Sequence, residues 1–219
     1  MRRTAPFAAL LMLPTIAVAQ TEAMVPATVE AVPGAAVPPP TPRPATVKVV
    51  VTTAQGGIVL ELEKERAPVT TANFLRYVDQ KRLDGIVFYR ALKSAPDGSY
   101  GLIQGGIQND PKRILPPVAH EPTSKTGLSH VDGAISMARA APGSARAEFF
   151  IIVGGLTALD AQPAGTGDTA GYAVFGRVVE GMETVKAILM SPVSAGGTGA
   201  MKGQMIAAPV KVLTVRRGK

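Results

Sequence analysis

Few side chains in this sequence belong to types that do covalent or metal chemistry, and their spacing narrows the field further. Cysteine is absent, which excludes disulfides, thiolate nucleophiles, cysteine-ligated zinc and a lipidated N-terminal cysteine. The two histidines, His120 and His130, have neither the HExxH spacing nor the neighbouring carboxylates of a metal site, and both are expected in surface loops. Ser136 lies in Ala134-Ile135-Ser136-Met137-Ala138, which is no nucleophile elbow, so a hydrolase reading fails. The glycine-rich stretches 165–171 and 196–203 lack the GK[ST] ending of a phosphate loop. They also lack the preceding strand and following helix of a dinucleotide site, and read as flexible loops.

The elements that would position any site are mostly strands. Residues 47–53 and 58–63 are β-branched, partly alternating runs around Ala54-Gln55-Gly56-Gly57, the pattern of a hairpin with a glycine-bearing turn. Residues 68–83 place Phe74, Tyr77 and Val78 at helical spacing, with Thr70 or Thr71 suited to the N-cap. Short runs at 86–92, 101–104, 133–138, 148–153 and 172–179 follow, separated by Gly, Pro and Asp. A second helical pattern over 181–189 sets Met182, Val185, Ile188 and Leu189 on one side, and a last strand covers 210–215. Many strands, irregular loops and two helices suit a closed barrel whose ends the helices cap.

The N-terminus has a different composition. Arg2 and Arg3 precede an apolar run over 5–18, and Ala17-Val18-Ala19 supplies the small residues a signal peptidase requires, so residues 1–19 are expected to be a signal peptide cleaved after Ala19. The run is shorter than the roughly 20 apolar residues of a membrane-spanning helix and is interrupted by Pro14, so stable membrane insertion is not expected. Residues 20–46 carry seven prolines among Ala, Val and Thr and read as a disordered, extended linker. The formal charge of +7 loses two arginines with the signal peptide, leaving 21 basic against 16 acidic residues. The basic residues are scattered apart from a C-terminal group, so no nucleic-acid partner is expected.

Within residues 47–217, four segments stand in a characteristic order: Phe88-Tyr89-Arg90; Leu102-Ile103-Gln104-Gly105-Gly106; Ser136-Met137-Ala138-Arg139 through Glu148-Phe149-Phe150-Ile151; and Gly171-Tyr172-Ala173-Val174-Phe175-Gly176-Arg177-Val178. Together with Ala67-Pro68-Val69-Thr70-Thr71-Ala72-Asn73-Phe74 and Val179-Glu180-Gly181-Met182, this order resembles the cyclophilins, most closely the periplasmic members of Gram-negative bacteria. The resemblance implies a closed eight-stranded antiparallel barrel capped by two α-helices, with a substrate groove on its outer face. It also implies peptidyl-prolyl cis-trans isomerase activity on unfolded or extended proline-containing chains, without cofactor or metal. By motif, Arg90 matches the family's catalytic arginine, Gln104 the glutamine beside it and Phe150 the floor of the proline pocket. Leu102, Ala138, Arg139, Leu159 and Tyr172 match further groove positions. Location in the periplasm and a monomeric state are the corresponding expectations.

Such residues suffice because no bond is broken. Amide resonance opposes Xaa-Pro rotation by about 18–20 kcal/mol, and the twisted state returns a lone pair to the prolyl nitrogen. A fixed guanidinium can stabilise that state more than either planar ground state. The sequence departs from the family in three places. Ala91 to Ile103 is longer than usual; Gly101 replaces a groove phenylalanine, for which Tyr100 is the candidate substitute; and Glu148 replaces a substrate-binding glutamine, trading a donor for an acceptor. These departures motivate a second reading, a weakly active or inactive binding module or holdase of the same fold for proline-containing chains.

Overall fold

The computed structural model describes residues 45–218, so the expected signal peptide and nearly all of the expected linker lie outside the described residues. The opening hairpin forms as expected, with β1 (Thr46–Thr53) paired to β2 (Gly56–Glu63). Helix α1 (Pro68–Asp79) places its fixed-φ proline in the first turn, where no backbone donor is lost. Its N-cap is Ala67, not Thr70 or Thr71, which lie inside the helix and are buried. The capping is supplied from far along the chain. Buried Glu121 accepts the backbone N–H groups of Val69 (3.1 Å) and Thr70 (2.7 Å), together with the Thr70 hydroxyl (2.7 Å). The helix stops short of residue 83 because Lys81 turns left-handed (φ 54°), which sends Leu83 and Ile86 into the core.

Strands β3 (Val87–Lys93), β4 (Gly101–Gly106), β5 (Ala134–Met137), β6 (Phe149–Val153) and β7 (Ala173–Glu180) follow, with a four-residue helix α2 (Thr123–Thr126) between β4 and β5. Helix α3 (Met182–Leu189), the two-residue strand β8 (Val193–Ser194) and β9 (Met205–Arg217) complete the chain. The strands run β1-β2-β7-β5-β6-β4-β3-β9, and β9 pairs back onto β1, so eight antiparallel strands close into a barrel and leave no edge; β8 adds a short ladder outside the circle. Strand β9 starts five residues before the expected 210 and runs through Pro209. Its register with β3 jumps from Phe88–Val210 to Arg90–Met205, so the residues between leave that ladder, and Ile206 pairs with Val193 of β8. A proline is tolerated at such an irregularity.

Alternation along the strands divides two apolar clusters. The interior holds Phe88, Ile103, Phe149, Ile151 and Phe175 with Phe74, Tyr77, Val185 and Leu189 from the two long helices. The Phe149 ring meets Phe74 and Phe88 edge-on at 5.5 and 5.8 Å. The second cluster is on the other side of the same strands, where Leu102, Ala134, Phe150, Ile152 and Val174 are also buried. Among the described residues, no helix is long and apolar enough to cross a membrane.

The Glu121 cap combines two backbone bonds with a carboxylate at a helix N-terminus, all out of water. Replacing it by alanine in Glu121→Ala is expected to lower unfolding free energy by about 2 kcal/mol. Urea denaturation checks this, and an unchanged midpoint would contradict it.

Candidate active site

The outer cluster lies on the outer wall of the barrel, and strand register lays the candidate site out across it. Arg90 of β3 pairs with Gln104 of β4, Gln104 with Phe150 of β6, and Phe150 with Ser136 of β5. At the ordinary strand spacing, a row two strands wide puts Arg90 roughly 10 Å from Phe150. Arg90 reaches this face through a bulge. Phe88 pairs with Gly105 and Arg90 with Gln104, so Tyr89 and Arg90 together oppose one residue. Without the extra residue, alternation would turn Arg90 inward; with it, Phe88 and Ala91 enter the core while Tyr89, Arg90 and Leu92 lie on the groove side.

Two glutamines hold the guanidinium. Arg90 Nη1 donates to Gln104 Oε1 and Nε to Gln204 Oε1, both at 2.8 Å. Burial pulls the Arg90 pKa down, the cost of holding a charge partly out of water. Gln204 gave no sequence signal. It ends the glycine-rich 196–203 segment, which contains a short turn of helix at Gly199–Met201, and its carbonyl accepts the Ala91 N–H at 2.9 Å. Gln104 is itself buried, and its Nε2 donates to the Tyr89 hydroxyl at 2.8 Å.

The expected pocket residues converge. Leu102 and Phe150 are buried in the outer cluster, and Ala138, Leu159 and Tyr172 pack against it half-buried. Tyr172 meets the Phe150 ring edge-on at 5.4 Å. Arg139 is tied into the site's frame. Its side chain chelates Asp168 (2.6 and 2.9 Å), donates to the Gly171 carbonyl (2.9 Å) and covers the Tyr172 ring at 5.1 Å. Beside this floor, Tyr89, Gln104, Arg139, Arg146, Glu148 and Met205 help line a cavity of about 580 Å³. Both oxygens of Glu148 are engaged within the protein, accepting the Gln108 N–H (2.7 Å) and the Tyr89 hydroxyl (2.6 Å).

Two departures noted in the sequence have structural explanations. The extra length after Arg90 sits at the tip of the β3–β4 hairpin, where it leaves the Arg90–Gln104 pairing intact. Gly101 is required, since a Cβ there would lie 2.2 Å from the Leu92 carbonyl and 3.1 Å from Leu189. Tyr100 does not take the missing ring's place: it is half exposed over Gly154, and Leu92, opposite Leu102, packs on the cluster instead.

His130 corrects the surface-loop expectation, because it is fully buried. Its ring stacks on Phe150 (5.8 Å between centroids, 10° between planes), with Nδ1 2.6 Å from Asp160 and Nε2 2.9 Å from the Ser136 hydroxyl. An ionised carboxylate only accepts, so Nδ1 carries the proton and Nε2 accepts from Ser136. Burial lowers the His130 pKa against the pull of Asp160; burial also opposes ionisation of Asp160, but bonds from Ser129 and His130 hold that carboxyl below its usual range. In this Ser-His-Asp line Ser136 and His130 are fully buried and Asp160 half-buried, and the imidazole braces the Phe150 ring it stacks on. Among the described residues, no cluster of three or more His, Asp or Glu side chains is placed to hold a metal.

Fold and groove define a class: closed antiparallel barrels with a peptide-sized apolar groove, topped by a cation, on the outer wall. The profile of the family described as cyclophilin type peptidyl-prolyl cis-trans isomerase/CLD matches residues 47–216. The chain belongs to this family and is a cyclophilin-type peptidyl-prolyl cis-trans isomerase. It is 33% identical to a peptidyl-prolyl cis-trans isomerase of Acinetobacter baylyi over 74% of this chain and 80% of that one. Identity is 36% to the corresponding enzyme of Streptomyces antibioticus, over 76% and 94% of the two chains. A crystal structure of a Cryptosporidium parvum cyclophilin-type isomerase in the presence of the dipeptide Ala-Pro shares the fold, with a TM-score of 0.62 at 20% identity, covering 78% of this chain and 99% of that one.

A histidine kept neutral by burial makes stability depend on pH. Below the ordinary imidazole value of 6.5 the unfolded chain takes up a proton that the folded chain refuses, so stability falls as pH drops through that value. Unfolding free energy is expected to fall by roughly 1–2 kcal/mol between about pH 7 and pH 5, and His130→Gln to remove most of that slope. Denaturant titrations at the two pH values decide; equal slopes in both proteins would refute the assignment.

Proposed function

We propose that this isomerase works on proline-containing segments of exported proteins as they fold, with Arg90 as the catalytic group. The observation that carries the reading is the single row of Arg90, Gln104 and Phe150 across adjacent strands. A prolyl ring seated on Phe150, against Leu102 and Leu159, leaves its nitrogen facing the Arg90 side of the groove. There the guanidinium, held by Gln104 and Gln204, donates to the lone pair that develops as the bond twists. Ala138 and Tyr172 bound the ring's pocket, Arg139 keeps Tyr172 and the 160–171 loop in place, and Glu148 belongs to the wall on the Gln104 side. Water excluded from the apolar floor strengthens the interaction.

Export is supported by the basic, apolar and small-residue pattern of residues 1–19, and residues 20–46 would then space a monomeric domain away from its surroundings in the periplasm. The scattered positive charge favours no nucleic-acid partner.

Arg90→Ala is expected to lower kcat/KM for an Ala-Pro reporter peptide by about 100-fold or more while leaving the fold intact. Isomerisation rates at low temperature, with thermal unfolding as control, check this; a folded variant of near-normal rate removes Arg90 from the mechanism. Expressed from its full gene in a Gram-negative host, the protein is expected in the periplasmic fraction with Gln20 at its N-terminus. Recovery of the uncleaved chain from the cytoplasm would defeat the export reading.

A further inference from the structure

Beyond Gln104 the polar chain that holds Arg90 continues inward and ends on Glu148, and the character of that last group fixes the direction of every hydrogen bond before it. An ionised carboxylate can accept but not donate. Glu148 Oε2 therefore accepts the hydrogen bond of the Tyr89 hydroxyl at 2.6 Å, which leaves the hydroxyl oxygen free to accept from Gln104 Nε2 at 2.8 Å. With its NH2 spent on Tyr89, the Gln104 amide must turn its oxygen outward, and Oε1 meets Arg90 Nη1 at 2.8 Å.

The carboxylate is anchored independently of any substrate. Its Oε1 accepts the Gln108 N–H at 2.7 Å. Gln108 and Asn109 are left-handed, with φ of 51° and 58°, a tight turn that brings the Gln108 N–H to the carboxylate. Gly106 makes room for it, since a Cβ there would lie 2.4 Å from Glu148 Oε2.

We infer that Glu148 is a positioning residue whose carboxylate sets the direction of the chain Glu148–Tyr89–Gln104–Arg90 and so presents an acceptor to the guanidinium. The inference rests on the reading of Arg90 as the catalytic group. An amide or a protonated acid at position 148 offers Tyr89 a donor instead. The hydroxyl proton then has only Gln104 Oε1 to go to, and the reversed amide sets NH2 against guanidinium. The acidic residue that replaces the family's glutamine is thus matched to the tyrosine beside Arg90.

Burial raises the Glu148 pKa, opposed by the bonds from Tyr89 and the Gln108 N–H, so the chain loses its direction as pH falls through a value above the ordinary carboxylate range. The charged and titratable groups around the carboxylate are Tyr89 and Arg90 from β3, and Arg139 and Arg146 from the segment between β5 and β6. Guanidinium groups hold their charge throughout, and burial keeps Tyr89 protonated. His130 and Asp160 are the same in wild type and variants, so the difference between profiles isolates Glu148.

The test measures kcat and KM for an Ala-Pro reporter against pH in the full domain, comparing wild type with Glu148→Gln, Tyr89→Phe and the double variant, and with Arg90→Ala as reference. Each single change is expected to lower kcat about tenfold. KM should stay within about twofold, the double variant should be no worse than either single, and the acid limb due to Glu148 should vanish in Glu148→Gln. Fully additive losses, or a Glu148→Gln enzyme with wild-type kcat and an intact acid limb, overturn the inference while Arg90→Ala still abolishes catalysis. If Glu148→Gln loses cooperative unfolding, Tyr89→Phe decides alone: a tenfold lower kcat with a flattened acid limb supports the chain, and an unchanged profile ends it. If Arg90→Ala leaves the rate intact, the assignment of Arg90 falls and this inference falls with it.

Discussion

The one extra residue in β3 is the constraint on which the site depends. In a regular strand Tyr89 and Arg90 would face opposite ways, and the guanidinium would be driven into an interior filled by Phe88, Ile103 and Phe149. The register shift between Phe88 and Arg90, seen against both β4 and β9, sets both side chains on the groove side and leaves the strand free to resume its alternation at Ala91. The same irregularity lets Gln204 approach, because β9 leaves the β3 ladder just there. A single backbone distortion thus puts the cation at the surface and brings its second glutamine to it.

The barrel also solves a problem of sidedness. Its middle strands are apolar on both faces, as in Phe149-Phe150-Ile151-Ile152-Val153, where every residue is buried. One face fills the barrel. The other would be an exposed apolar patch were it not covered by Leu128, Leu156, Leu159 and Tyr172 from the long loops. Those loops are held by polar ties, His130 to Asp160 and Arg139 to Asp168, rather than by regular structure. The outer cluster is thus closed over by loops rather than by a second sheet.

Much of the barrel was legible in the sequence. β-Branched runs marked seven of the eight closing strands within a residue or two, and helical spacing marked α1 and α3. The motif order singled out Arg90, Gln104 and Phe150, and the strand register sets these three in one row. What escaped was long-range. Glu121 caps α1 from 51 residues beyond Thr70, Gln204 holds Arg90 across 114, and His130 finds Asp160 30 residues on. Neither propensity nor periodicity reports such pairings, and a lone histidine among glycines carries no mark of burial. Strand β9 is about twice the length expected from residues 210–215, because it continues through Pro209 at an irregularity in its pairing with β3. The bulge itself is invisible to residue counting, since it depends on what the partner strand does.

The tip of the β3–β4 hairpin separates sequence length from active-site geometry. Arg90 and Gln104 face each other through paired backbones that continue to Lys93 and Gly101, and only beyond that last pair does the chain wander through residues 94–100. Register in an antiparallel pair is fixed by the strands and not by the size of the bend that joins them. The bend is therefore a natural grafting port, a place where a reporter peptide or a second recognition loop could be spliced in. Paralogues could diverge there in length and partner while the reaction centre stayed as it is.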